Sequence, residues 1–290
     1  MKSCAFLTLD EVGDYVIDDE HAIAPLRALG WSVSTVSWRQ TRIPWSQFDA
    51  VIIRSTWDYW DDVAAFLSVL ETIDRESRLA NPMDLVRWNY QKTYMRDLAA
   101  NGVKTVPTLF PEQVSPERFS HWFEQHQSGQ LVIKPVVGAN GDDAYRVSSD
   151  TEEQRLVQIA NRFRDKAALV QPFMPHILDE GEYSLFYFNG AFSHAILKVP
   201  ASGEFRSQEE HGAEIKAVEP EQKLKERGQQ ALDAIGEAPL YARIDFVRDR
   251  DCDFALMEQE LIEPSLYLRM HELAPQRFAE AIDQRFAGLK

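Results

Sequence analysis

The chain has 290 residues, 44% of them hydrophobic, and a formal net charge of -15. That length supports two or three compact units with proper cores, and the acidic balance argues against non-specific binding to nucleic acid or an anionic membrane while leaving room for a local basic pocket. Two cysteines, Cys4 and Cys252, are too few for a disulfide framework or a zinc site. The apolar run at the N-terminus is too short for a signal peptide and no stretch is long enough to span a membrane, so a cytoplasmic setting is expected.

In chain order, residues 4–9 read as a buried strand and residues 18–29 as a helix ended by Gly30. Residues 31–37 and 50–54 read as strands, and residues 63–73 as a helix with Phe66, Leu67 and Leu70 on one stripe. Strands alternating with helices predict a small parallel α/β unit, punctuated at Asn81-Pro82. Asn89 reads as the N-cap of a helix running to Ala100. Residues 106–110, 131–135 and 168–173 read as strands, with an amphipathic segment at 116–126, a helix at 151–164 and a Gly-containing loop at 136–143. Residues 183–188 and 191–199, joined at Asn189-Gly190, form a hairpin. Residues 200–218 show no periodicity, and helices follow at 219–235 and 275–286.

The run Tyr241-Ala242-Arg243-Ile244-Asp245-Phe246-Val247 and the run Phe254 to Leu261 bracket a short charged turn, which predicts an antiparallel hairpin. At the two-residue period Arg243 and Asp245 share one face; Glu258 and Glu260 share one face of the partner, with Met257 and Leu261 opposite. If the loop holds an even number of residues, Asp245, Glu258 and Glu260 lie together. Two readings stand: a solvated sheet face, or carboxylates gathered around a hard divalent cation that also binds substrate phosphate.

Other residues point to the same chemistry. Lys134 sits inside the apolar run Leu131-Val132-Ile133-Lys134-Pro135, where a lysine must be paired or face a site. Gly138 and Gly141 follow, in a loop whose backbone could approach phosphate, although a Gly-rich hairpin turn is the commoner explanation of such residues alone. Lys198 and Arg206 flank a polar loop suited either to closing over phosphate or to ordinary surface mobility. Arg54-Ser55-Thr56-Trp57 follows a buried strand directly, at the end of an α/β strand where ligands bind; an arginine there would suit a carboxylate, or the run is a Trp-rich packing corner. The seven histidines share no spacing that suggests a catalytic triad.

The order of Asn89-Tyr90-Gln91-Lys92, Val132-Ile133-Lys134-Pro135, Gln171-Pro172-Phe173-Met174, Gly181-Glu182, Gly203-Glu204-Phe205-Arg206, Arg243-Ile244-Asp245 and Glu258-Gln259-Glu260 resembles the ATP-grasp superfamily, in its glutathione synthetase-like branch. Arg54 to Tyr59 and Arg87-Trp88-Asn89 further resemble the subgroup containing the ligase that closes the D-cycloserine ring. The resemblance implies an α/β ATP-grasp fold: an N-terminal α/β domain over residues 1–86, a linker helix and small α+β subdomain over 87–173, and a large α+β subdomain over 174–290 that completes the clamp on ATP. It implies Lys92 and Lys134 on the α- and β-phosphates, the loop from Gly138 to Gly141 over the phosphates, and Gln171, Phe173 and Met174 along the adenine. Glu182 would hold the ribose and Lys198 would join the nucleotide site. Arg206 and Arg243 would face the γ-phosphate and the acyl phosphate. Asp245, Glu258 and Glu260 would bind two Mg2+ ions, for which Mn2+ can substitute; many relatives carry Asn in place of Glu260. Arg54, Ser55, Thr56 and Ser265 would contact the substrate.

The implied reaction joins a small amino-acid-like carboxylate to an amine or thiol through an acyl phosphate, with ADP and phosphate released. A small-molecule kinase and a non-catalytic nucleotide-binding module are the rival functions. Similar ligases are often homodimers, but no stripe here demands one. Asp142 and Asp143, beside the phosphate loop, are expected to point away, to pair with Arg146, or to meet a metal or amine.

Overall fold

A computed structural model describes residues 2–286. Strands β1 (Lys2–Thr8), β2 (Trp31–Ser37), β3 (Ala50–Ser55) and β4 (Leu79–Ala80) form a parallel sheet in the order β2-β1-β3-β4. The helix expected at 18–29 is a 3-10 turn followed by α1 (Ile23–Ala28), and Gly30 takes a left-handed φ of 87° just beyond it. Asp62 caps α2 (Val63–Glu76) by accepting from the Ala65 amide, and Phe66, Leu70 and Ile73 bury its inner stripe.

The helix expected from Asn89 is broken. Asn89 ends α3 (Met83–Asn89), and α4 (Tyr94–Ala100) begins only after a bend. The Lys92 amide in that bend donates to the Val136 carbonyl, a tertiary bond that competes with helix continuation. No regular strand forms at 106–110 either; Thr105 bridges to Leu256 and Leu109 to Val170, while Pro107 and Pro111 remove the donors a longer ladder needs.

After α5 (Arg118–His126) come β5 (Gln130–Pro135), β6 (Tyr145–Ser148), α6 (Glu153–Arg162) and β7 (Ala168–Pro172), with the strands antiparallel in the order β6-β5-β7. Leu131 and Ile133 of β5 pack with Phe119, Trp122 and Ile159, so the alternate residues Val132 and Lys134 face away from that core.

The short α7 (His176–Asp179) leads into β8 (Glu182–Phe188), β9 (Ala191–Val199), β10 (Glu214–Val218), α8 (Gln222–Asp233), β11 (Tyr241–Arg248) and β12 (Phe254–Glu260). These strands form an antiparallel sheet in the order β10-β9-β8-β11-β12. The outer edge of β12 is completed by side chains: the Asn89 amide donates to the Gln259 carbonyl and accepts from the Leu261 amide, and the Tyr94 hydroxyl accepts from the Gln259 amide. Helix α9 (Ala274–Phe286) then joins the first and third sheets in one core with Phe6, Phe186, Tyr241 and Phe278. Among the described residues no helix is long and apolar enough to cross a membrane.

Candidate active site

The hairpin of β11 and β12 sets the site. Its turn spans residues 249–253, an odd number, and the register from Arg248↔Phe254 to Phe246↔Leu256 would by itself pair Asp245 with Met257. A β-bulge between Asp245 and Phe246 shifts the pairing to Asp245↔Glu258 and Arg243↔Glu260. The inserted residue restores the parity, so all three carboxylates share a face after all. The bulge also corrects the place of Met257, which lines the cavity beside Glu258 rather than turning to the opposite face.

That face is dense with ion pairs. Glu258 binds Lys92 at 2.8 Å and lies 3.6 Å from Lys134. Arg243 pairs with Glu260 and, at 3.1 Å, with Asp245. Asp245 also accepts from the Ser184 hydroxyl at 2.5 Å and lies 3.6 Å from Lys198, which pairs with Glu182. Four carboxylates thus face four cations, and each group is largely buried. Burial opposes ionisation of Glu258, but Lys92 and Lys134 hold its carboxyl below the usual range. Glu260 moves the other way: burial raises it, Arg243 offsets only part of this, and the charges of Glu258 and Asp245 add to the rise. Among the described residues no three His, Cys, Asp or Glu side chains converge as a ready ligand set; each carboxylate of this face is paired with a cation.

A cavity of about 110 Å³ opens over this face. It brings together Lys92, Lys134, Gly138, Gly141, Gln171, Phe173, Met174, Glu182, Arg206, Arg243, Asp245, Glu258 and Glu260. Val106, Val132, Ile177, Phe205 and Met257 supply apolar walls that sequence reasoning missed; Val132 was discernible, since it shares the outward face of its strand with Lys134. The Gln171 amide donates to Thr108, and Glu182 accepts from the Ser207 hydroxyl at 2.5 Å.

Two loops meet across the cavity mouth. A Cβ on Gly141, whose φ is 71°, would lie 3.0 Å from both Arg206 Cδ and Gln208 Oε1, so the close approach requires glycine. Arg206 pairs with Glu204 at 2.6 Å, yet its buried Nε has no partner, nor has Gln208 Oε1. Orphaned buried polar atoms in a cavity wall fit a ligand that supplies both acceptors and donors. Of the neighbouring acids, Asp143 points away to Arg162 and Lys166, while Asp142 lines the cavity. Arg146 pairs with neither; it bonds Gln130 and lies 3.7 Å over the Phe173 ring.

A second cavity of about 60 Å³ shares Ala139, Asn140, Gln208, Arg243 and Glu260 with the first. Ser265 and Lys198 line it, together with Trp57 from the run after Arg54 and with Glu263 and Tyr267, which the sequence did not single out. Arg54, Ser55 and Thr56 line neither cavity and correct the expectation that they meet substrate. Arg54 is only 1% exposed. Its Nε binds Asp19 at 2.8 Å, a terminal nitrogen donates to the Pro264 carbonyl at 2.9 Å, and the guanidinium lies over the rings of Tyr241 and Phe278. The Ser55 hydroxyl is spent on Thr8, and Thr56 is fully buried. The third sheet and α9 cover this strand end, so the arginine binds a neighbouring loop instead of a ligand.

Two family models match the chain: the N-terminal domain of D-cycloserine synthetase DcsG over residues 4–81, and the prokaryotic glutathione synthetase ATP-grasp domain over residues 104–247. The cycloserine biosynthesis protein DcsG of Streptomyces lavendulae is 30% identical over 275 residues, which cover 89% of this chain and 90% of that protein. A glutathione synthetase of Ralstonia nicotianae is 24% identical over 57% of this chain and 49% of its own length. The crystal structure of D-cycloserine synthetase DcsG superposes with a TM-score of 0.86 at 27% identity, over 98% of this chain and 99% of the other. A D-alanine–D-alanine ligase from Bacillus anthracis shares the fold at a TM-score of 0.68 and 14% identity, over 99% of this chain and 98% of the other.

Proposed function

This chain belongs to the ATP-grasp ligases of the DcsG family, enzymes that join a carboxylate to an amine with ATP, and from that premise we propose how the two adjoining cavities that share Arg243 and Glu260 divide the work. The larger cavity takes ATP and the smaller one the amino-acid substrate, with Arg243 and Glu260 at the boundary where phosphoryl transfer occurs. The observation that carries this reading is the single cavity in which two lysines and a close-packed glycine loop face three carboxylates across an apolar slot.

In this reading adenine lies between Val132, Phe173, Met174 and Met257, and Glu182 meets the ribose. Lys92 and Lys134 bind the α- and β-phosphates under the loop from Gly138 to Gly141. Lys198, paired with Glu182 and 3.6 Å from Asp245, would orient both carboxylates. In this reading the chain divides into functional units over residues 1–86, 87–173 and 174–290, a division supported by the one sheet that falls within each, with the cleft between the last two.

The donor set is all oxygen, from Asp245, Glu258 and Glu260, which suits Mg2+ in preference to softer metals. The protein's own charges already balance within the cleft, so a polyphosphate entering it calls for added positive charge. Two Mg2+ ions, or Mn2+ in their place, would be held by these carboxylates and would offset charge on the phosphates. The chain's side chains do the rest. Arg243 and Arg206, which both line the larger cavity, would steady the γ-phosphate while a substrate carboxylate oxygen attacks it in line. The bond from the γ-phosphorus to its bridging oxygen breaks, ADP leaves, and an acyl phosphate remains. The amine lone pair then adds to the acyl carbon, the carbon–oxygen bond to phosphate breaks, and the nitrogen loses a proton. Neither step needs a nucleophile from the protein, in keeping with the absence of a His-based triad around the cavity.

The test is ADP and phosphate release with Mg2+ and ATP across amino acids, alone and in pairs with amines or thiols. Release that depends on a particular amino acid supports the assignment. A protein that neither binds an ATP analogue with Mg2+ nor releases ADP on any mixture would overturn it.

A further inference from the structure

The second cavity contains a carboxylate with no partner. Glu263 is 7% exposed and lines the cavity, yet its side-chain oxygens take part in no hydrogen bond or ion pair among the described residues. Every other buried acid of the site is matched: Asp245 by Arg243 and Ser184, Glu182 by Lys198 and Ser207, Glu258 by Lys92 and Lys134, Glu260 by Arg243. The unmatched state is costly. Burial, with the charge of Glu260 added, pushes the Glu263 carboxyl up to about 8, and Lys92 and Arg243 offset only part of this.

The surroundings hold Glu263 in place rather than neutralise it. Trp57 Nε1 donates to the Glu263 carbonyl at 2.8 Å, and Arg54 donates to the next carbonyl, that of Pro264. Arg54 lies at the end of β3 and Trp57 just beyond it, so the first sheet fixes the backbone that carries this carboxylate. The aromatic side chains of Trp57 and Tyr267 line the same small cavity. A buried carboxylate beside aromatic rings is a receptor for a small organic cation. The cavity of about 60 Å³ has room for a compact group only.

We propose that Glu263 receives the ammonium group of the amino-acid substrate and makes the enzyme select a substrate bearing a free amine. The proposal rests on the reading of the smaller cavity as the amino-acid site. Trp57 and Arg54 are positioning residues for it, since they hold the backbone and not the ligand.

The experiment compares wild type, Glu263→Gln and Glu263→Asp by calorimetric titration in the presence of a non-hydrolysable ATP analogue and Mg2+. The probes are D-serine, D-alanine and D-cycloserine, each set against its N-acetyl derivative. Wild type is expected to bind at least one free amine about tenfold or more tighter than the acetylated form, the scale of a hydrogen bond to a charged group. Glu263→Gln should abolish that preference while the affinity for the ATP analogue changes less than about twofold, and Glu263→Asp should retain part of the preference. Equal affinity of wild type and Glu263→Gln for the free amines, no preference in wild type, or no binding of any probe would overturn the proposal. A raised Mg2+ requirement in Glu263→Gln with amine affinity unchanged would likewise overturn it and assign the carboxylate to metal. Binding of the ATP analogue by wild type, with ADP release on a carboxylate lacking an amine, would leave the ligase reading standing while this proposal fell.

Discussion

Replacing Arg54 with methionine separates two accounts of the C-terminal end of β3. If Arg54 met substrate, the change would raise the KM for the amino acid and leave the fold intact. The structure predicts the reverse emphasis. Arg54 is buried, and methionine keeps much of its volume against Tyr241 and Phe278 while removing every donor. Asp19 would keep its charge without a counter-ion, and the Pro264 carbonyl would lose its donor. Breaking a buried ion pair from one side costs about 3–5 kcal/mol. With an unfolding entropy of about 2.1 cal/mol/K per residue, 290 residues give about 0.6 kcal/mol per degree, so the melting temperature should fall by about 5–8 °C. Differential scanning fluorimetry and urea unfolding read the loss. The paired variant Arg54→Met with Asp19→Asn should recover part of it, because no charge is then stranded. An unchanged melting temperature together with a selectively raised amino-acid KM would refute the structural role.

Other outcomes follow from the same geometry. Glu258→Gln and Asp245→Asn should each cut ADP release by about a hundredfold or more and raise the Mg2+ concentration needed for half-maximal rate; near-normal rates in both would remove these residues from the metal site. His194 is buried, stacks on Phe186 and binds the Leu266 carbonyl; burial lowers its imidazole from 6.5 to about 4. The unfolded chain therefore takes up a proton first, so stability is complete above pH 6.5 and is lost as pH falls towards 4, by about 3 kcal/mol in all. His194→Gln should flatten that limb of a pH–stability curve, and an unaltered slope would show that other groups produce it.

The parts of the fold that follow local pattern were legible in the sequence. The buried strands, the Asn189-Gly190 hairpin and the inner stripe of α2 all obey the two- and 3.6-residue periods. What escaped was decided by partners distant in sequence. The helix expected from Asn89 to Ala100 breaks because the Lys92 amide finds Val136, and the Asn89 side chain is used on β12 instead of as a cap. β10 is a short, largely exposed edge strand, and the alternation over Glu214-Ile215-Lys216-Ala217 is too brief to announce it. The carboxylate face was predicted on the condition of an even loop; the loop is odd, and a bulge that no local pattern signals supplies the missing residue. Arg54 lies at a strand end, as read, but the surface it faces is covered by Tyr241, Phe278 and Pro264, far away in the chain. Glu263 carried no motif; only its burial without a partner marks it.

The account's central claim is that the cleft activates a carboxylate as an acyl phosphate. Once the amino acid that drives ADP release is known, its carboxyl group is labelled with 18O, and the released phosphate is analysed by mass spectrometry or 31P NMR. The account predicts one labelled oxygen in each inorganic phosphate, because the oxygen that attacks the γ-phosphorus leaves with it. Unlabelled phosphate would mean simple ATP hydrolysis, and phosphate retained on the product would mean a kinase; either result would contradict the mechanism.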